Sequence, residues 1–292
     1  MSVEVPVSFI HKWRDDYIAL SQQKGSRFRP YVRTQTGVKG KSDNWERIGS
    51  TTAQQITSRH ASTPLISTPH SRRRCNLGDY NVADLIDSTD RSKMMLNLEG
   101  PYMDAMVWAM GRKLDDVVIA AMTGNATSVS SSDAESNVAL PSAQKVVHAS
   151  AGLTLAKILE AKKILDAAEV DPDIPRCLAV TAAQMEDLLG INQVTSSDYN
   201  TQKTLVEGEV GTWMGFHIVR TERLGTDGDG NRQVLAWAQD GVGLSIGAEE
   251  DMKVEISNRA DKNYSTQVYC ESSFGSVRVE DAKVVEIACT ES

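Results

Sequence analysis

The sequence predicts an α+β protein built on one long helix, with a basic arm ahead of an acidic body. Three observations predict it. Residues 101–123 carry one unbroken helical apolar stripe, and the second half of the chain is a succession of short strand-like runs. Helices and strands are mixed without regular alternation, which argues against a parallel α/β sheet. The charge is also divided: the first 74 residues hold 13 Lys+Arg and 5 Asp+Glu, the remainder 18 and 34.

Taken in order, Ser8 can N-cap an amphipathic helix over 8–23, with Phe9, Trp13, Tyr17 and Leu20 on one stripe and Gly25 past its end. So short a helix is marginal alone, so its stripe must dock on something. Residues 26–74 are rich in Arg, Ser, Thr, Gly and Pro. Alternation around 31–36 and 45–48 predicts a long hairpin with an irregular tip and little burial of its own. Residues 79–90 return the chain to the acidic body. Pro101 then suits the first position of a helix and Gly124 the place just past its end. Met103, Met106, Val107, Met110, Leu114, Val117, Val118 and Ala121 form its inner stripe; Asp104, Arg112, Lys113, Asp115 and Asp116 lie opposite, read as a solvated face. At 1.5 Å per residue this helix is about 35 Å long.

A polar loop is expected at 125–137. A second helix follows over 154–168, with Leu155, Ile158, Leu159 and Leu165 inward. Residues 176–180 read as a buried strand. Thr181 and Gln184 form a capping box for a third helix that Gly190 ends. Strands are expected at 216–221, 233–238, 242–246, 252–257, 266–270, 276–279 and 284–288.

Composition excludes several classes. At 292 residues, 40% hydrophobic and 24% charged, the chain can bury a sizeable globular core. No apolar run approaches the ~18 residues of a membrane span, so no membrane association is expected. No secretory segment opens the sequence, so synthesis in a reducing cytoplasm is expected. Cys177, Cys270 and Cys289 sit in apolar, strand-like settings as small hydrophobes. The arginines before Cys75 would lower its thiol pKa if they stay close in space, although an ordinary thiol is the simpler reading. Net acidity and 5% aromatic content argue against a general nucleic-acid binder.

The candidate motifs are incomplete. Gly243-Leu-Ser-Ile-Gly247 has nucleophile-elbow spacing and would make Ser245 the nucleophile of a serine hydrolase. A strand follows where the elbow needs a helix, and no histidine lies beyond His217, so close backbone packing accounts for it better. Gly40-Lys-Ser42 lacks the earlier glycine of a phosphate loop and reads as a polar hairpin turn. Asp227-Gly-Asp-Gly-Asn231 begins like a calcium loop but has Arg232 and Ala238 where glycine and glutamate are required; weak calcium binding is the most it offers. His60, His70 and Cys75 match no zinc spacing. No cofactor or metal is expected. Arg72-Arg73-Arg74 could bind phosphate, but the acidic body favours an inter-subunit charge patch. On that argument, changing all three arginines to Ala weakens assembly without unfolding the subunit.

The chain resembles the major capsid proteins of tailed bacteriophages, with the Hong Kong phage-type fold. The likeness lies in Gln22-Gln-Lys-Gly-Ser-Arg27, Thr63-Pro through Arg74, Asp79-Tyr to Asp87, and Pro101-Tyr through Arg112. It continues in Glu207-Gly through Phe216 and in Phe274-Gly-Ser-Val-Arg-Val through Cys289. The resemblance implies an N-terminal arm at 1–30 and an extended β-hairpin loop at 31–78 lying over a neighbouring subunit. It implies a peripheral domain at 79–149 with spine helix 101–123, a mixed α/β axial domain at 150–260, and C-terminal strands at 261–292 completing the sheets. No lysine–asparagine cross-link is assignable.

The function so implied is structural: a virion protein, made in the host cytoplasm, that self-assembles as hexamers and pentamers of an icosahedral shell. The shell would enclose double-stranded DNA, touched only non-specifically. Scaffolding, portal and decoration proteins are the implied further partners. Surface ion pairs contribute little each, so assembly must also bury apolar groups. The expected inter-subunit residues are Trp13, Phe28, Trp45, Arg59, Leu65, Arg72, Arg73 and Arg74. The competing readings are an encapsulin-like nanocompartment shell, the Ser245 hydrolase, and a nucleic-acid binder acting through the arginine run.

Overall fold

The computed structural model describes residues 21–60, 62–63, 65–87, 99–130, 133–191, 211–247 and 252–291. The helix expected at 8–23, with Trp13, lies outside them except for residues 21–23, which are not helical. The strands are β1 (Arg33–Val38), β2 (Ser42–Ile48), β3 (His70–Asn76), β4 (Gly78–Ile86), β5 (Ala126–Val129), β6 (Glu135–Val138), β7 (Lys145–Val146), β8 (Arg176–Val180), β9 (Thr212–Trp213), β10 (Phe216–Arg220), β11 (Arg232–Ala238), β12 (Val242–Gly247), β13 (Lys253–Arg259), β14 (Ser265–Arg278) and β15 (Val284–Cys289). The helices are α1 (Glu99–Thr123), α2 (Leu155–Ala167) and α3 (Ala182–Gly190).

A six-stranded sheet runs β7-β15-β11-β8-β10-β9. Its central strands are apolar on both faces because both are covered, and the strand period of two divides their side chains between two cores. Val234, Ala236, Leu178, Val180, Val285 and Ile287 face α2 and α3. Leu235, Trp237, Cys177, Ala179 and Val284 face the side of α1. The capping box at Thr181 and Gln184 forms as the sequence predicts. In α2 one position departs from expectation. Leu159 is 47% exposed, and Lys157 is buried instead, its ammonium donating to the carbonyls of Ala151, Gly152 and Ala288 at 2.7, 2.9 and 2.9 Å. Three carbonyls satisfy the three donors of a lysine, which is what lets it replace a leucine inside.

The second sheet is organised by β14. Strands expected separately at 266–270 and 276–279 are one 14-residue strand. Residues Thr266 to Glu271 pair with β4 on one edge and β13 on the other, and Phe274 to Arg278 pair with β12. β12 and β13 therefore follow one another along one edge of β14. β1 joins β12 in parallel. The spine helix α1 lies across β14, β4 and β12, burying Met106, Met110, Leu114, Val118 and Met122.

The third sheet, β2-β3-β5-β6, contains the expected hairpin with altered arms. β2 and β3 are its arms, with residues 49–69 as the tip, whereas β1 belongs to the second sheet. Gly40, at φ +123, thus turns the chain between two sheets and is not a hairpin turn. The polar stretch at 125–137, expected to be a loop, includes the β5–β6 pair that widens the hairpin's root. β12 and β13 share a sheet with β4, and β14 and β15 belong to different sheets. Strand pairing over long sequence separation, invisible to local pattern, causes all of these differences.

The C-terminal end is pinned by charge. Glu291 accepts two bonds from the Arg232 guanidinium, both 2.8 Å, and one of 3.0 Å from Gln184. These hydrogen bonds, led by that from Arg232, hold its pKa down at about 2 against 4.5 unperturbed. A depressed carboxylate pKa stabilises the fold above the unfolded value and loses that contribution as pH falls through the folded one. Glu291→Gln should therefore cost about 1–2 kcal/mol at pH 7. Denaturant titrations of mutant and wild type should converge as pH is lowered from 4.5 towards 2.

Candidate assembly site

The hairpin is rooted on the second sheet through positions that carry no side chain. A Cβ on Gly243 would stand 2.6 Å from the Trp45 ring, and one on Gly275 would stand 2.2 Å from the carbonyl oxygen of Asn76. Trp45 can therefore lie against β12, and β3 can cross β14 almost in contact with its backbone. The Trp45 indole donates to Ser245 Oγ at 3.0 Å, and that hydroxyl donates to Asp43 at 2.7 Å. Ser245 is fully buried in a strand paired on both edges. It has neither the sharp strand-to-helix turn nor the exposure of a nucleophile. The Gly-x-Ser-x-Gly pattern is a packing motif for the hairpin.

Strand alternation splits the arginine run. Arg73 points inward at 3% exposure and pairs with Asp281 at 2.6 Å. Asp281 also takes Nε of the fully buried Arg278 at 2.6 Å. Burial pulls the Arg73 pKa below the ordinary arginine value, with Asp281 opposing the shift. Arg74 pairs with Asp133 at 2.7 Å and with Glu135. Arg72 meets Glu46 of the same hairpin at 3.0 Å, both well exposed. Arg73 and Arg74 thus spend their charge inside the subunit, which charge totals by segment do not reveal. Cys75 is buried, and burial pushes its pKa up to about 11. The neighbouring arginines do not activate it.

The arm is seated on α1. Gly25, at φ +72, crosses the helix at Gly111, where a Cβ would stand 2.6 Å from the Gly25 backbone. One turn further, Asp115 is fully buried and accepts from Gln23 Nε2 and Ser26 Oγ, both 2.5 Å, and from the backbone N–H groups of Arg27 and Phe28. Arg112 donates to Gln22 and to the carbonyl of Gln23. Asp115 is therefore no part of a solvated face. Phe28 is fully buried, stacked on Trp237 at 5.4 Å, and Trp237 donates to the Tyr31 carbonyl at 2.8 Å. A glycine four residues before a carboxylate on one helix face was the available signal.

The eight expected contact residues separate accordingly. Phe28, Trp45 and Arg73 are buried within their own chain, so their surface is already used. Arg59 is exposed on the tip, as are Ile56 at 84% and Leu65 at 97%. Trp13 lies outside the described residues. Among those residues no His, Cys, Asp and Glu cluster could hold a metal ion, and no helix could cross a membrane. Asp227 closes its own turn, accepting from the backbone of Asp229 and Asn231 at 2.9 and 2.8 Å.

A family model described as phage capsid protein matches residues 5–291. No curated protein matches the chain significantly. A chain from Mycobacterium phage Che8 is similar over 95% of this chain and 96% of its own, at 17% identity and TM-score 0.70. The capsid of cyanophage P-SCSP1u matches over 98% and 94%, at 17% identity and TM-score 0.72. The capsid of Ralstonia phage GP4 matches over 97% and 95%, at 11% identity and TM-score 0.72.

Asp115→Ala should cost about 2–4 kcal/mol in chemical denaturation, because it leaves buried N–H donors unpaired. Arg73→Ala should cost about 3 kcal/mol, while Arg72→Ala should stay within about 0.5 kcal/mol. The triple arginine-to-Ala variant should consequently melt earlier than wild type, contrary to the charge argument alone.

Proposed function

The chain belongs to the phage capsid protein family, and we propose that its Hong Kong phage-type fold works as the repeating subunit of an icosahedral shell of hexamers and pentamers enclosing double-stranded DNA. It is a virion structural protein. The family match favours this over a cellular nanocompartment, and the burial of Ser245 disfavours the hydrolase.

The observation that carries the assembly reading is the contrast between the two ends of the hairpin. Its root is packed, ion-paired and glycine-seated. Its tip leaves Ile56 at 84% and Leu65 at 97% exposed, and Ile48, where β2 enters it, at 72%. Apolar side chains this fully exposed on a projecting segment are the surface a neighbouring copy would cover. In this reading the tip, with Arg59, Leu65 and Arg72, lies on the next copy. Phe28, Trp45, Arg73 and Arg74 serve assembly indirectly, by aiming the hairpin. The layer of α1 and the second sheet is the peripheral domain, and the six-stranded sheet with α2 and α3 is the axial domain around the hexamer and pentamer centres. Closed symmetry repeats each weak contact many times.

Ile56→Asp with Leu65→Asp should leave the subunit's melting temperature unchanged and reduce particle yield at least about tenfold, read by electron microscopy and sedimentation. Normal shells from that variant would remove the tip from the interface.

A further inference from the structure

The face where the arm crosses the spine helix is locally basic on an otherwise acidic body. Lys24 sits with its ammonium 5.1 Å from the centre of the Trp108 ring, and Lys113 sits 5.2 Å over Tyr80. Arg112 is tied to Gln22 and Gln23, and Arg27 to the carbonyl of Arg220. Lys24, Arg27 and Lys113 are exposed and Arg112 half-buried. Among the described residues none of these four cations meets a carboxylate. Their partners are rings, amides and carbonyls, which orient a cation without cancelling its charge. The two acids of α1 nearest the crossing are spent: Asp115 is buried under the arm, and Asp116 is held by both arms of Arg223 at 2.6 and 2.5 Å. Three exposed acids remain near the crossing: Asp104, about a turn before Trp108, and Glu186 and Glu222, which line a hollow with Arg27, Glu222 accepting there from the Ala182 backbone.

We propose that this face, centred on Lys24, Arg27, Arg112 and Lys113, binds the phosphate backbone of duplex DNA and is turned inward in the shell. Arg112 and Lys113 lie on α1, Lys24 and Arg27 on the arm that crosses it, and a duplex carries a charge about every 1.7 Å along its axis, so such a surface meets several phosphates at once. The contact is electrostatic and indifferent to sequence, since nothing in it is placed to read base edges. The acidic remainder of the body repels DNA, so the patch also sets the orientation in which a subunit meets it. The hairpin arginines are not this surface: Arg73 and Arg74 are paired with Asp281, Asp133 and Glu135.

The proposal rests on the shell reading only for which face points inward. Duplex binding is measured on unassembled full-length subunits, so either reading can fail alone. Fluorescence anisotropy with a labelled duplex of about 20 base pairs, at about 50 to 150 mM salt, tests it. Wild type should bind with a steep salt dependence. Lys24→Gln with Lys113→Gln should lower affinity about tenfold at the lower salt and flatten the slope of log K against log salt by about two. Arg59→Gln with Arg72→Gln should change neither. Absence of wild-type binding at the lower salt, an unaffected Lys24/Lys113 variant, or loss of binding in the hairpin variant would each overturn the proposal. Normal particles from the Lys24/Lys113 variant by electron microscopy would show that assembly is separate.

Discussion

Arg278 is fully buried at the end of β14, and its guanidinium holds three elements at once. It donates to the carbonyls of Met122 and Gly124 at 2.9 and 2.7 Å, to Val138 at 2.8 Å, and to Asp281 at 2.6 Å. Met122 and Gly124 lie at the C-terminal end of α1, where unpaired carbonyls make the helix end partly negative and a cation is favoured. Asp281 extends the contact to Arg73 and so to the hairpin. The spine helix, the widened hairpin root and the long strand β14 thus meet around one charge whose partners are all protein. The side chain cannot be withdrawn without leaving those carbonyls unpaired and Asp281 to Arg73 alone, so the direction of the hairpin and the end of the helix are set together.

The same logic of covered backbone repeats at the arm. Gly111 allows contact with Gly25, and Asp115 then satisfies the N–H groups that the crossing would otherwise strand. Gly243 and Gly275 do for the hairpin what Gly111 does for the arm. Both projections of the subunit are therefore rooted where a missing Cβ permits close approach and a buried polar side chain fills the donors and acceptors left over. Rigid roots matter for a shell protein because an error in direction at the root is magnified at a tip many ångströms away.

This division of labour gives the basic segment a different meaning from its net charge. Arg73 and Arg74 are structural, Arg72 and Arg59 remain outside, and the unneutralised cations of the arm–spine crossing come from both the basic and the acidic parts of the chain. Segment totals add charges that are far apart in space and miss those brought together by folding.

Much of the architecture was legible from residues alone. Helix α1 begins within two residues of its expected start and ends at Thr123, β8 spans 176–180, and the capping box at Thr181 formed. Those features depend on spacing, caps and apolar periods that act within a few residues. The family likeness was carried in the same local way, by short runs in order. Tertiary structure alone decided the continuity of β14, the parallel pairing of β1 with β12, the burial of Asp115 and Lys157, and the split of the arginine run. Each of these requires a partner tens to hundreds of residues away, and a polar side chain reads the same in sequence whether water or a distant carbonyl satisfies it.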